Sequence, residues 1–98
     1  MSRRIKYSLR AIEEQIAILE YIVQKFGNSK ANEVFQKMNQ TLELIAKNPE
    51  MYPESKRSSG LRKCVFSLQT SIYYRTKDEE IEVITLRPNR IDPKKFKI

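Results

Sequence analysis

A chain of 98 residues can build one core but not two, so residues 1–98 are read as a single domain. Its 40% hydrophobic content, with four Phe and five Tyr, excludes wholesale disorder, and a formal charge of +7 favours a polyanion or an acidic partner. With no histidine, one cysteine and two glycines, Ser-His-Asp and Cys-His nucleophile systems, a structural zinc site, a P-loop and a dinucleotide fingerprint are all excluded.

In chain order, residues 3–8 put Ile5 and Tyr7 on one side of a short strand. Ser8 reads as a helix N-cap, its hydroxyl free to accept from an early backbone N–H. Leu9, Ile12, Ile16, Leu19, Val23 and Phe26 then recur at steps of three and four, the pattern of one core-facing helical stripe. Gly27 ends that helix. Asn28 or Ser29 is expected to cap a second one, with the stripe Ala31, Val34, Phe35, Met38, Leu42 and Ile45, stopped at Asn48-Pro49. So short a connection folds the helices into an antiparallel hairpin, which needs a third apolar surface to cover it.

The second half supplies that surface. Beyond a polar loop at 54–60, Cys64, Phe66 and Leu68 alternate with Val65, Ser67 and Gln69, and Ile72, Tyr74 and Thr76 alternate with Tyr73 and Arg75. A turn at 77–80 precedes a last strand at 81–86. The expected fold is α+β: an N-terminal strand, an antiparallel helical hairpin, then a three-stranded antiparallel meander with the helices on one sheet face.

Residues 87–98 carry Arg87, Arg90, Lys94, Lys95 and Lys97 against Asp92 alone. Pro88 and Pro93 argue against helix interior or a paired central strand there. The stretch is either a solvated basic tail or a site for a polyanion. No apolar run follows the basic residues of 1–10 as it would in a secretory signal, and no window is apolar enough for a membrane span. The lone Cys64 fits a reducing compartment, so a cytoplasmic protein without membrane contact or cofactor is expected.

The order of these pieces resembles the RelE/ParE superfamily of toxins from bacterial type II toxin–antitoxin systems, which includes plasmid-stabilisation proteins. The residues that carry the resemblance are Phe26-Gly27, the run Leu44-Ile45-Ala46-Lys47-Asn48-Pro49, Pro53, Gly60-Leu61-Arg62, Ile72-Tyr73-Tyr74-Arg75, and Leu86-Arg87 followed by Arg90 and Pro93. It implies a toxin neutralised by a cognate antitoxin whose acidic segment folds on binding. RelE-like members cleave messenger RNA on the ribosome; ParE-like members inhibit DNA gyrase without nuclease activity.

The ribonuclease pattern is only partly matched. Arg62 and Lys63 stand where RelE-like members are basic, and Arg90 lies near the family's C-terminal arginine. Ser71 replaces an expected arginine, and Phe96 replaces a tyrosine that moves protons. The pattern therefore leans to the ParE branch, with no catalytic residues required. The alternative is a ribosome-dependent endoribonuclease using Arg62, Arg75 and Arg90. A third reading, a non-toxic basic nucleic-acid-binding domain, lacks a visible recognition helix.

Candidate target-binding or nucleic-acid-binding residues are Arg62, Lys63, Tyr73, Arg75, Arg87, Arg90, Lys94, Lys95 and Phe96. A guanidinium grips phosphate through paired N–H groups, and an aromatic beside a cation can receive a base. The bland alternatives are pairing of Arg62 or Arg87 with Glu82, a solvated Tyr73/Arg75 pair, and Phe96 tucked into the core. Tyr74 and Cys64 read as core, and Glu13, Glu14 and Glu20 as a wet helix face. Without its antitoxin the chain is expected to expose apolar surface and form a homo-oligomer.

Overall fold

The computed structural model describes residues 3–54, 60–66 and 70–88. A strand β1 (Arg4–Tyr7) leads into α1 (Leu9–Phe26) and α2 (Asn28–Lys47). A short 3₁₀ turn (Pro49–Met51) follows, then β2 (Leu61–Val65), β3 (Thr70–Lys77) and β4 (Glu80–Pro88). The strands form one sheet in the order β1-β4-β3-β2, with β4 antiparallel to β3, β3 antiparallel to β2, and β1 parallel to β4. This is the expected α+β arrangement. What the sequence pattern did not reveal is that β1 closes the far side of the sheet, which makes β4 an interior strand.

The hairpin turns on one residue. Gly27 has φ 95° and ψ 169°, a region essentially reserved for glycine, so it can end α1 and begin α2 with nothing between. Its N–H donates to the Val23 carbonyl and its carbonyl accepts from Ala31. The expected Asn28 or Ser29 cap is absent: Gly27 is the N-cap of α2 and no side chain caps it. Ser8 does cap α1 as expected, accepting from the Ala11 N–H at 3.0 Å.

The core is Ala11, Met38, Leu42, Ile45, Ala46, Cys64, Ile72, Tyr74, Ile81, Val83 and Leu86, all buried. It confirms most of the α2 stripe and the buried placement of Cys64 and Tyr74. The α1 stripe is corrected. Leu9, Ile12, Ile16, Val23 and Phe26 are all exposed, Leu9 at 73% and Phe26 at 65%. The α1 residue that is fully buried is Ala11, with Ile18 packed against the core. A small side chain lets the helix axis approach its neighbours closely, so the large apolar residues a quarter-turn away are left outside.

One other expectation changes. β4 runs as far as Pro88, in register with Thr70, so this proline does end a paired central strand. It is tolerated there because it is the last residue of the ladder. Register also shifts within β4: Tyr73 faces Thr85 while Tyr74 faces Val83, which leaves Ile84 as a bulge.

Candidate functional site

The bulge is where α1 is fastened to the sheet. The Ser8 backbone N–H donates to the Val83 carbonyl, and the Ser8 hydroxyl donates to the Ile84 carbonyl at 2.7 Å. Two turns along the helix, Glu14 Oε1 accepts from the Thr85 hydroxyl at 2.6 Å and from the Leu86 backbone N–H at 2.9 Å. Its other oxygen takes the Arg10 Nε–H at 3.3 Å. Glu14 is thus not part of a wet face but an acceptor for β4 beyond Val83, where the pairing of β4 with β1 has ended.

With α1 held at its N-terminal half, an open groove of about 750 Å³ runs between the helical hairpin and the sheet. Ala17, Ile18, Tyr21 and Ile22 line it from α1, Val34 and Met38 from α2, and Phe66 and Leu86 from the sheet side. Lys30, Lys37 and Arg87 stand around it, with the acids Glu14 and Glu33. Glu14 is committed to β4, and Glu33 lies 3.7 Å from Lys30. Lys37 sits 5.6 Å above the Phe66 ring. The charge left to meet a ligand is therefore positive, around an apolar floor.

The predicted basic residues are divided between the two faces of the sheet. Arg62 is in register with Tyr74, and Cys64 with Ile72, so Arg62 belongs to the core-facing side. Its Nη1 donates to the Tyr52 carbonyl at 2.5 Å. Beneath it the Tyr74 hydroxyl donates to the Pro49 carbonyl at 2.7 Å. Burial pushes the Tyr74 pKa up to about 12, against a partial pull downward from the nearby Arg62 charge. Tyr52 is raised chiefly by its hydrogen bond to Cys64, and Cys64 chiefly by burial. These groups stay protonated and neutral at physiological pH, which suits a structural cluster rather than acid–base work.

Lys63, Tyr73 and Arg75 share the opposite face. Lys63 is in register with Tyr73 and its ammonium lies 5.9 Å from that ring. Arg75 is exposed, between Leu61 on β2 and Glu82 on β4. Arg87 lines the groove. Ser71, standing where an arginine was expected, is buried. Arg90, Lys94, Lys95 and Phe96 lie outside the described residues. The trio Arg62, Arg75 and Arg90 is therefore not gathered into one site by what is described: Arg62 and Arg75 point to opposite sides.

Sequence reasoning missed the groove residues Tyr21, Val34, Lys37 and Phe66 as a set. A signal existed in α1, where Ala17, Ile18, Tyr21 and Ile22 form a second apolar flank beside the more obvious stripe. Among the described residues no cluster of His, Cys, Asp and Glu could hold a metal ion, and no helix is long and apolar enough to cross a membrane.

A hairpin of two helices over a four-stranded sheet with this connectivity defines a class of small α+β folds. Solved structures share it, among them three toxin–antitoxin proteins. The chromosomal ParDE system of P. aeruginosa matches with TM-score 0.78 at 18% identity, over 91% of this chain and 98% of that one. The YoeB/ParE toxin from Agrobacterium tumefaciens matches with TM-score 0.65 at 14% identity, over 89% and 99%. The toxin–antitoxin complex DinJ-YafQ of E. coli matches with TM-score 0.60 at 13% identity, over 90% and 93%. No curated protein sequence matches the chain. The profile of the ParE toxin of the type II toxin–antitoxin system parDE matches residues 5–93, and the chain belongs to that family, within the RelE/ParE superfamily.

Proposed function

We propose that this toxin acts by binding, as a ParE-like inhibitor of DNA gyrase, and that a cognate antitoxin silences it by laying an acidic, amphipathic segment in the groove. The observation that carries the target is the separation of Arg62 from Arg75. Phosphodiester cleavage needs cationic groups converging on one phosphate. Here Arg62 donates to the Tyr52 carbonyl from the core-facing side of the sheet, and Ser71 is buried where a further arginine would stand. The antitoxin reading is supported by the groove itself, apolar within and bordered by Lys30, Lys37 and Arg87. A disordered acidic segment could gain both burial and charge pairing there.

The second reading, a ribosome-dependent endoribonuclease, draws on Lys63, Tyr73 and Arg75, which give the outer sheet face a basic and aromatic character. Purified toxin, with and without antitoxin, separates the two. Loss of gyrase supercoiling with intact messenger RNA is expected. Cleavage of messenger RNA at codon positions on programmed ribosomes, with supercoiling untouched, would overturn the gyrase assignment.

A further inference from the structure

The groove accounts for one flank of α1; the stripe left outside by the close approach of Ala11 remains. Leu9, Ile12, Ile16, Leu19, Val23 and Phe26 follow steps of 3, 4, 3, 4 and 3, the a and d positions of a heptad repeat sustained along the whole helix. Five of the six are exposed, Ile16 at 51%. Only Phe26 also lines the groove. The stripe is thus a separate surface about 27 Å long. An apolar face of this extent on a soluble helix marks an interface.

We propose that this stripe is a dimerisation seam that takes the same stripe of a second copy of the chain, with the two α1 helices parallel. Alternating steps of three and four suit knobs-into-holes packing against another helix. The bordering residues choose the occupant. Glu13 and Glu20 occupy the e positions, while the g positions are the uncharged Ser8, Gln15 and Ile22. In a parallel pair each glutamate faces Ser8 or Gln15 of the second copy. In an antiparallel pair Glu13 would meet Glu20 of the second copy, and an acidic segment laid along the stripe would meet both glutamates with like charge. The helix is already folded onto its own sheet through Ser8 and Glu14, so pairing does not bear the nucleation cost of an isolated short coiled coil.

The groove lies on the other flank of α1 and shares only Phe26 with the stripe. Sedimentation equilibrium of the full chain without antitoxin is expected to show a monomer–dimer equilibrium in the micromolar range, of the order expected for a small interface. Ile16→Glu is expected to weaken it by at least about tenfold, with an unchanged circular dichroism spectrum. Tyr21→Lys, in the groove, is expected to leave it unaltered. Orientation is read by disulfide trapping under mild oxidation, since Cys64 is buried and does not compete. Ile16→Cys and Leu19→Cys should each cross-link to themselves.

Four results would overturn the proposal. They are a strictly monomeric toxin at tens of micromolar (roughly the top of the expected range), a dimer insensitive to Ile16→Glu, cross-linking only between a mixture of the two cysteine variants, and burial of the stripe only when antitoxin is added. None of these bears on supercoiling or messenger RNA cleavage, so the dimer and the target fail separately.

Discussion

Glu14 and Leu86, 72 residues apart in sequence, are joined by a 2.9 Å hydrogen bond from the Leu86 backbone N–H to the Glu14 carboxylate, and the Thr85 hydroxyl donates to the same oxygen. One carboxylate oxygen of α1 therefore satisfies two donors of β4, beside the Ser8 bonds to Val83 and Ile84. Glu14→Ala leaves a partly buried N–H and a hydroxyl unpaired, at a cost of about 1–3 kcal/mol. Glu14→Gln keeps a carbonyl oxygen in place and is expected to lose about half of that or less. Urea unfolding of the two variants measures the order. Equal losses would mean that the carboxylate acts only through Arg10.

Tyr74 makes a pH-dependent contribution. Its hydroxyl donates to the Pro49 carbonyl from a fully buried position, and its pKa rises from the ordinary 10.0 to about 12. A raised folded pKa means that the folded state holds the proton more tightly than the unfolded chain does. The stabilisation is therefore complete below pH 10.0 and is lost as pH climbs through about 12. Tyr74→Phe removes the hydrogen bond and is expected to cost about 1 kcal/mol near neutral pH. The gap between wild type and variant should shrink between pH 10.0 and about 12. A gap that widens over that interval would contradict the assigned environment.

Arg62 and Lys63 are neighbours in sequence and separate in role. Arg62→Ala gives up the Tyr52 carbonyl bond and exposes the Tyr74 cluster, so about 1–3 kcal/mol of stability is expected to go, with toxicity falling only as folded protein falls. Lys63→Ala, on the outer face beside Tyr73, should change stability by no more than about 0.5 kcal/mol. Melting temperature and growth inhibition, measured on the same variants, distinguish the two. Loss of toxicity in a fully folded Arg62 variant would return that residue to the target-binding surface.

This division is legible in the sequence. Once Cys64 is read as core, strand alternation puts Arg62 on the same side and Lys63 opposite. The hairpin, the Ser8 cap, the meander and the buried Tyr74 were equally legible, because each rests on local spacing. The facing of α1 was not. A helix apolar on two flanks offers two stripes, and the larger residues look like core, whereas close packing against the sheet selects alanine at position 11. Glu14 was hidden for a different reason: its role exists only because β1 stops pairing at Val83 and leaves the Leu86 N–H without a strand partner on that side. Tertiary context of that kind leaves no trace in the spacing around Glu14.

Lys37 tests whether charge as well as burial recruits the antitoxin. It stands at the groove 5.6 Å from the Phe66 ring, on the outward side of an apolar floor. An acidic segment approaching the groove is steered by Lys37 and Arg87 before any apolar side chain is buried, and steering acts mainly on the association rate. Lys37→Glu reverses one of these charges and is expected to slow association by about threefold to tenfold at low salt. The difference from wild type should narrow as ionic strength rises past 0.15 M, where the Debye length is about 8 Å. Lys47→Glu, at the far end of α2, makes the same change in net charge away from the groove and should have a much smaller effect. Stopped-flow association of purified toxin and antitoxin at several salt concentrations gives both rates. If the two reversals slow binding equally, net charge rather than the groove attracts the partner, and the antitoxin segment must be sought on another surface.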